Sequence, residues 1–331
     1  MVTCERAQAA QLPSGIQIGH MSNSEATTGC TAILCAEGAV GSVAVRGGAP
    51  ASRETDLLAP HNMVQTVHAV VLSGGSAFGL DAASGVMRYL SEQGIGLPFN
   101  DAVVPIVAGL SLFDLDFATN AQGDRPDADM GYAAAEQIGS EVGKTGNVGA
   151  GTGACVGRFL GAGNAMKGGL GVASVLSGDL LVTAVIAVNS LGNVYDRKTN
   201  QYLAGALIEQ DGRVAIAEPL DYLAQILGES VPERAHTSIG AVLTNATLDK
   251  SHAYRVASMA HDGLARSIYP AHTSFDGDGL FTLATGKVVA HPDLIGSLAA
   301  LVVEEAVHDA VLSASEAHEH PAVASLGKRQ S

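Results

Sequence analysis

Between Gly15 and Gly48 short β-branched and apolar runs alternate with glycines ("GIQIG", "CTAILCAEG", "AVGSVAVRGG"), which predicts antiparallel hairpins. "VHAVVLSGG" is an apolar strand closed by glycines. From Ser76 to Gln93 the pattern turns helical, with Phe78, Ala82, Val86 and Leu90 recurring as one buried stripe. "VPIVAGLSLFDL" is a further apolar run, and a polar loop from Ala118 to Asp129 leads to a small helix around Tyr132 to Ile138. Gly143 to Gly157 is too dense in glycine for regular structure. Gly171 to Asp196 reads as strand, Ser-Gly-Asp turn, long buried strand and turn.

Gly205 to Glu233 is weakly patterned and is expected to be a surface region or linker. A strand opens at Thr237. Leu248 to Ile268 carries the strongest helical period, with Val256, Ala260, Leu264 and Ile268 on one face and Asp249 as cap. "LFTLATG" is a strand, and Pro292 stands in the first turn of a long helix reaching Ala314. The tail from Ser315 to Ser331 is expected to be disordered, and its His318 and His320 to hold no metal. Together these elements predict sheets covered by helices, with two sheets face to face as one arrangement.

Composition narrows the function classes. A chain of 331 residues makes one large domain or two ordinary ones, and at 47% apolar residues it can bury a sizeable core. A net charge of −15 argues against nucleic acid, which needs a basic face. No basic-then-apolar leader and no long uninterrupted apolar stretch is found, so a cytoplasmic protein without a membrane span is expected. Cys4, Cys30, Cys35 and Cys155 contain no CxxC pair and read as free thiols, and a zinc site at Cys30 and Cys35 lacks further ligands.

Three motifs offer weak chemistry. "GGSAFG" would place a nucleophile at Ser76, but Phe78 stands where the G-x-S-x-G elbow needs its second glycine. "GAGTGA" follows a polar segment, not the apolar strand a dinucleotide fingerprint requires, so a loop shaping a pocket around Gly151 is the better reading. "DGDG" lacks the rest of a calcium loop, yet Asp276 and Asp278, two apart, point the same way from an extended segment. Thr237 is a weak nucleophile unless a base takes its proton, and a freed α-amine on the same residue, with a pKa near 8, is such a base.

Longer stretches carry a resemblance: "VRGGAPASRETDLL", "VHAVVLSGGSAFGLDAASGVMRYL", "GNVGAGTGACVG", "MKGGLG" and "MAHDGLARSI" with "HTSFDGDGLF". Over nearly its whole length the chain resembles the P1 family of self-processing hydrolases, peptidase family S58, which includes β-peptidyl aminopeptidases and nylon-oligomer hydrolases. The resemblance implies an α+β fold, a DmpA/ArgJ-like four-layer αββα sandwich similar to N-terminal-nucleophile hydrolases. It implies a single catalytic domain cut between His236 and Thr237 into a large chain, 1–236, and a small chain, 237–331. It further implies a homo-oligomer of four or more subunits that acts on a small peptide or amide and needs no metal or cofactor.

By the same resemblance "TSIGAVLTN" makes Thr237 the nucleophile, "AVNSLG" makes Asn189 the oxyanion donor, and "HTSFDGD" makes Asp276 and Asp278 its supports. The aspartate pair follows the nylon-hydrolase branch; the aminopeptidase branch carries Ser and Glu there. His236 stands where relatives carry Asn or Gly. In the substrate pocket Arg158 replaces a lysine and Phe113 a tyrosine. The implied activity is that of an aminopeptidase or amidase working through an acyl-enzyme. An acyltransferase of the ornithine acetyltransferase type, or a binding protein that has lost activity, are the alternatives.

Overall fold

The structure, a computed structural model, describes the chain apart from residues 1–2, 7–8, 24, 26, 116–124, 140–141, 230–235 and 330–331. The N-terminal half holds β1 (Thr3–Arg6), β2 (Gln17–Asn23), β3 (Thr28–Val45), β4 (Ala51–Arg53) and β5 (Thr66–Ser73). Helix α1 (Ala82–Glu92), the hairpin β6 (Leu97–Phe99) and β7 (Ala102–Val104), β8 (Val107–Ser111) and α2 (Ala128–Glu136) follow. The middle carries β9 (Cys155–Val156), β10 (Met166–Lys167), β11 (Gly169–Ser177), β12 (Leu180–Val188), β13 (Asn193–Asp196) and β14 (Gln201–Ala204). Next come β15 (Leu207–Gln210), β16 (Arg213–Ile216) and α3 (Pro219–Glu229). The rest is β17 (Ile239–Ala246), α4 (Lys250–Ser267), β18 (Ile268–Tyr269), β19 (Gly279–Val288), α5 (Pro292–Leu312) and α6 (Val323–Arg329).

Among the described residues ten strands share one hydrogen-bonded path, β1-β11-β12-β17-β19-β3-β5-β8-β4, with β2 beside β3. That path folds over on itself. Strand β3 spans 18 residues, where the sequence suggested two short strands. Its first part pairs with β5 and its last part with β19, with a register shift between Leu34 and Ala39. One long strand thus joins both layers of a sandwich.

Three buried clusters follow from the two-residue period of the strands. Val182, Ala184, Ile186 and Val188 of β12 face Val256, Ala260 and Leu264 of α4 and Val302 and Val303 of α5. The intervening Val185 and Ala187, with Ile239, Leu243, Phe281 and Leu283, face Ile33, Val70, Leu72 and Leu110 across the middle. Ala32, Leu34, Ala69 and Val71 pack on Ala82, Val86 and Leu90 of α1 and Ala134 and Ala135 of α2. The layers are therefore α4/α5, sheet, sheet, α1/α2: the αββα order expected. Because β12 is buried on both faces, all nine of its residues are buried and its sequence is nearly uninterrupted in apolar type. Each large apolar side chain so buried contributes roughly 1.5–3 kcal/mol. A Cβ at Gly171 would overlap the Ala306 carbonyl, so glycine lets α5 lie directly on β11.

Three local expectations are corrected. Phe78 is 59% exposed, because Ser76–Asp81 winds as a tighter 3-10 turn that takes it out of line with Ala82, Val86 and Leu90. The Arg125 guanidinium lies 3.9 Å from the Phe78 ring centre. The weakly patterned region after Gly205 forms the β15–β16 hairpin and α3. The tail from Ser315 is folded up to Arg329: Ala317 and His320 form a bridge, Lys167 N–H donates to the Pro321 carbonyl, and α6 follows. His320, 7% exposed, lies within 3.1 Å of the Ala165 carbonyl through its Nδ1. Burial of His320 and Ala322, together with these backbone bonds, offsets the ordering cost of this polar segment.

Asp249 caps α4 as expected, its carboxylate accepting the His252 N–H. No described helix is long and apolar enough to cross a membrane.

Candidate active site

Strand β17 runs antiparallel to β12 and parallel to β19, so its N-terminal end lies beside the C-terminal end of one and the N-terminal end of the other. This register brings residues 189, 237 and 276–278 together although they lie far apart in the chain. Thr237 N–H donates to the Asn189 carbonyl at 2.7 Å. Below β17 the parallel ladder continues. His236 pairs with Asp276: His236 N–H donates to the Phe275 carbonyl at 2.8 Å, and Gly277 N–H donates to the His236 carbonyl at 2.6 Å. Ser238 N–H then donates to Asp278 Oδ1 at 2.8 Å. The two-residue period places Asp276 and Asp278 on one side of this ladder, with Gly277 between them. Glycine is required there: an added Cβ would sit 2.7 Å from Thr237 Oγ1 and 2.7 Å from the Ala49 carbonyl.

The site is closed to solvent in this structure. His236 is 1%, Thr237 2% and Asn189 0% exposed. A crevice of about 880 Å³ is lined by Tyr195, Arg197, Tyr202, Arg266 and Tyr269 among others, and none of the Thr237 group lines it.

The two aspartates have different surroundings. Asp278 accepts three bonds, from Ser238 N–H and from the backbone N–H and Nδ1 of His272, the last at 2.7 Å. Asp276 accepts both the N–H and the hydroxyl of Thr273 on Oδ2, with a longer 3.4 Å approach from Leu191 N–H on Oδ1. Burial, and then the charge of Asp278, pushes Asp276 up to about 7. A carboxyl there binds its proton more tightly folded than unfolded. Between the ordinary carboxylate range and about 7 the native state holds more protons, so stability falls as pH rises through that window. In Asp276→Asn this fall is removed. The difference in Tm between variant and wild type should grow in the variant's favour from about pH 4 to pH 7, as a pH series of thermal melts will measure.

Asn189 is locked: Oδ1 accepts Cys155 N–H at 3.0 Å, and Nδ2 donates to the Phe113 carbonyl at 2.8 Å. One Nδ2 hydrogen is left for another acceptor. Phe113 therefore meets the site through its backbone, which any residue at that position supplies. Gly151 is held where its Cα approaches the Leu170 N and Gly146 carbonyl, at the start of β11. No contact joins it to Thr237. Arg158 is 3% exposed and, with Lys167, places positive charge near Cys155.

Sequence reading missed several buried polar residues. Lys167, 1% exposed, donates to the carbonyls of Thr152 and Ala154 and so fixes the loop that holds Asn189. Asp114 accepts Thr28 Oγ1 and Gly75 N–H, and burial pushes it up to about 6. A lysine amid the apolar and glycine residues of "MKGGLG" was the available signal for the first. His272 and Thr273, which hold the two aspartates, lay in plain view in "HTSFDGDG". Burial pushes the thiols of Cys30 and Cys35 up to about 12, and no cluster of three metal-binding side chains forms among the described residues.

The architecture has solved counterparts. Over 96% of this chain and 91% of the other it matches a Burkholderia sp. beta-aminopeptidase (TM-score 0.67, 19% identical). Over 93% and 91% it matches the L-aminopeptidase D-Ala-esterase/amidase of Ochrobactrum anthropi, described as a variant of the Ntn hydrolase fold (TM-score 0.64, 17% identical). The fold class is thus that of the Ntn hydrolases. The chain belongs to peptidase family S58, whose profile matches residues 14–324. An uncharacterized aminopeptidase of Mycobacterium leprae is 43% identical over 297 residues, 84% of this chain and 78% of that protein. A 6-aminohexanoate-oligomer endohydrolase of Agromyces sp. is 28% identical over 315 residues, 89% of this chain and 84% of that protein. The protein is a hydrolase of peptide or amide bonds.

Proposed function

We propose that the chain cuts itself between His236 and Thr237, and that the mature N-terminal Thr237 hydrolyses small peptides or amides through an acyl-enzyme. The carrying observation is the bond from Gly277 N–H to the His236 carbonyl at 2.6 Å, with Thr237 Oγ1 lying against the same glycine. A donor already on the carbonyl oxygen stabilises the charge that grows there when a hydroxyl attacks its carbon, an effect of a few kcal/mol in comparable sites.

In the precursor Asp276, whose carboxyl is pushed up to about 7 and whose backbone is laddered with that of His236, takes the Oγ1 proton. Oγ1 attacks the His236 carbonyl carbon, the C–N bond breaks as the nitrogen gains a proton, and His236 is left esterified to Thr237. Water hydrolyses the ester, leaving a carboxylate at His236 and a free amine on Thr237. That amine is the base of the mature enzyme. It can keep its bond to the Asn189 carbonyl, which orients it. It takes the Oγ1 proton as Oγ1 attacks the substrate carbonyl and passes it to the substrate's leaving nitrogen, while the remaining Nδ2 hydrogen of Asn189 donates to the oxyanion; water then releases the acyl group from Oγ1.

The relatives named as aminopeptidases favour a substrate with a free amino end. The aspartate pair, shared in type with the nylon-oligomer branch, extends the reading to linear amides. A cytoplasmic homo-oligomer of four or more subunits completes the proposal. Mass analysis of purified protein under denaturing conditions, with terminal sequencing, tests it. Two fragments are expected, the smaller beginning Thr-Ser-Ile, and one uncut chain overturns the reading.

A further inference from the structure

A histidine pair stands behind the aspartates and has no part in the steps above. His272 Nδ1 lies 2.7 Å from Asp278 Oδ2, and its backbone N–H donates to the same oxygen at 3.1 Å. A carboxylate accepts, so the ring proton sits on Nδ1. Nε2 is buried and meets no hydrogen-bond partner among the described residues. The ring packs edge-on against His261 of α4, centroids 4.8 Å apart. His261 is in turn fixed, with Nε2 2.9 Å from the Ala44 carbonyl of β3. Burial lowers His261 to about 4, so it is neutral at ordinary pH.

The chain of contacts is continuous: β3 holds His261, His261 backs His272, His272 holds Asp278, and Asp278 holds the N–H of Ser238, the residue next to Thr237. The backbone agrees. His272 has φ 58°, a left-handed conformation that side chains other than Asn, Asp and His seldom adopt, and that strain is retained where it aims the ring at Asp278.

We infer that His272, backed by His261, is a positioning residue of the Thr237 site: its Nδ1–H fixes Asp278, which fixes the backbone beside the nucleophile. The inference rests on the proposed role of Thr237 and adds a residue to that site.

The test uses His272→Gly, which removes the imidazole while suiting the positive φ, and His272→Asn, which also suits that φ and keeps a side-chain N–H near the place of Nδ1. Turnover of a small amino-acid amide and the rate of appearance of the Thr237-ended fragment are measured beside wild type, with circular dichroism as the folding check. For His272→Gly, kcat should fall roughly 10- to 100-fold with KM within about twofold, as when the partner orienting a reacting group is lost. His272→Asn should regain most of that kcat. If the glycine variant fails to fold, the asparagine variant still decides, since a kcat more than about tenfold below wild type overturns the inference. A folded glycine variant with wild-type kcat, or glycine and asparagine variants equally impaired, also overturns it. Wild-type protein that is neither cut nor active would refute the Thr237 reading itself, which separates the two failures.

Discussion

Thr237→Ala should run as a single full-length chain under denaturing conditions and hydrolyse no amide above background, a loss of roughly 10⁴-fold or more in kcat. The substitution removes one hydroxyl and one methyl from a side chain that is 2% exposed, two residues before β17, which is itself held by backbone pairing to β12 and β19. The Thr237 N–H bond to the Asn189 carbonyl and the His236–Asp276 pairing do not depend on Oγ1, so the fold should survive with Tm lowered by a few degrees at most. Thr237→Ser restores the hydroxyl and should restore cutting. Intact mass, thermal melts and an amide assay read the three quantities. An alanine variant that still matures would remove the nucleophile from the proposal.

Gly277→Ala should be nearly as severe, through sterics alone. The new Cβ would lie 2.7 Å from Thr237 Oγ1 and 2.7 Å from the Ala49 carbonyl, with the Pro50 Cα 3.1 Å away. Two of these three neighbours are backbone, so the relief available is to push Oγ1 aside or to draw the Gly277 N–H off the His236 carbonyl. Either movement takes away part of what the scissile bond needs. Losing one oxyanion donor costs roughly 10²–10³ in rate, so if the proposed cutting goes to completion in wild type, the variant should be only partly cut after purification. The fraction cut, followed by mass over days of incubation, checks this. Complete maturation of Gly277→Ala would show that the 2.6 Å bond is structural only.

The αββα order of layers came from the resemblance; the pattern itself gave sheets covered by helices and marked β12 as a long buried strand, which is what a strand between two layers requires. The helices α4 and α5 announced themselves through period and caps. The candidate site was named through the resemblance; in the structure Thr237, Asn189, Asp276 and Asp278 converge, and the parallel register of β17 and β19 brings the last two beside the first. What escaped is what depends on three-dimensional neighbours. The span of β3 across both layers turns on pairing with β19, about 240 residues away in the chain. Phe113 acts through a carbonyl, which no side-chain identity reveals. Lys167 and Asp114 are buried charges, and a sequence shows a charge without showing whether water reaches it. The tail after Ser315 reads as polar and structureless because its partners, Ala165 and Lys167, come from another part of the chain.

The position of β17 at the centre of the sheet has a consequence for a nicked protein. A break before Thr237 assigns two interior strands and both helices of one outer layer to the shorter piece. The pieces are interleaved, so the nick leaves the native particle in one body, and size-exclusion chromatography would not register it. Denaturation, by contrast, would release two separate polymers. Their reunion is a second-order event, so recovery of even a single folded protomer should improve with protein concentration, whereas an uncut protomer folds in a first-order step.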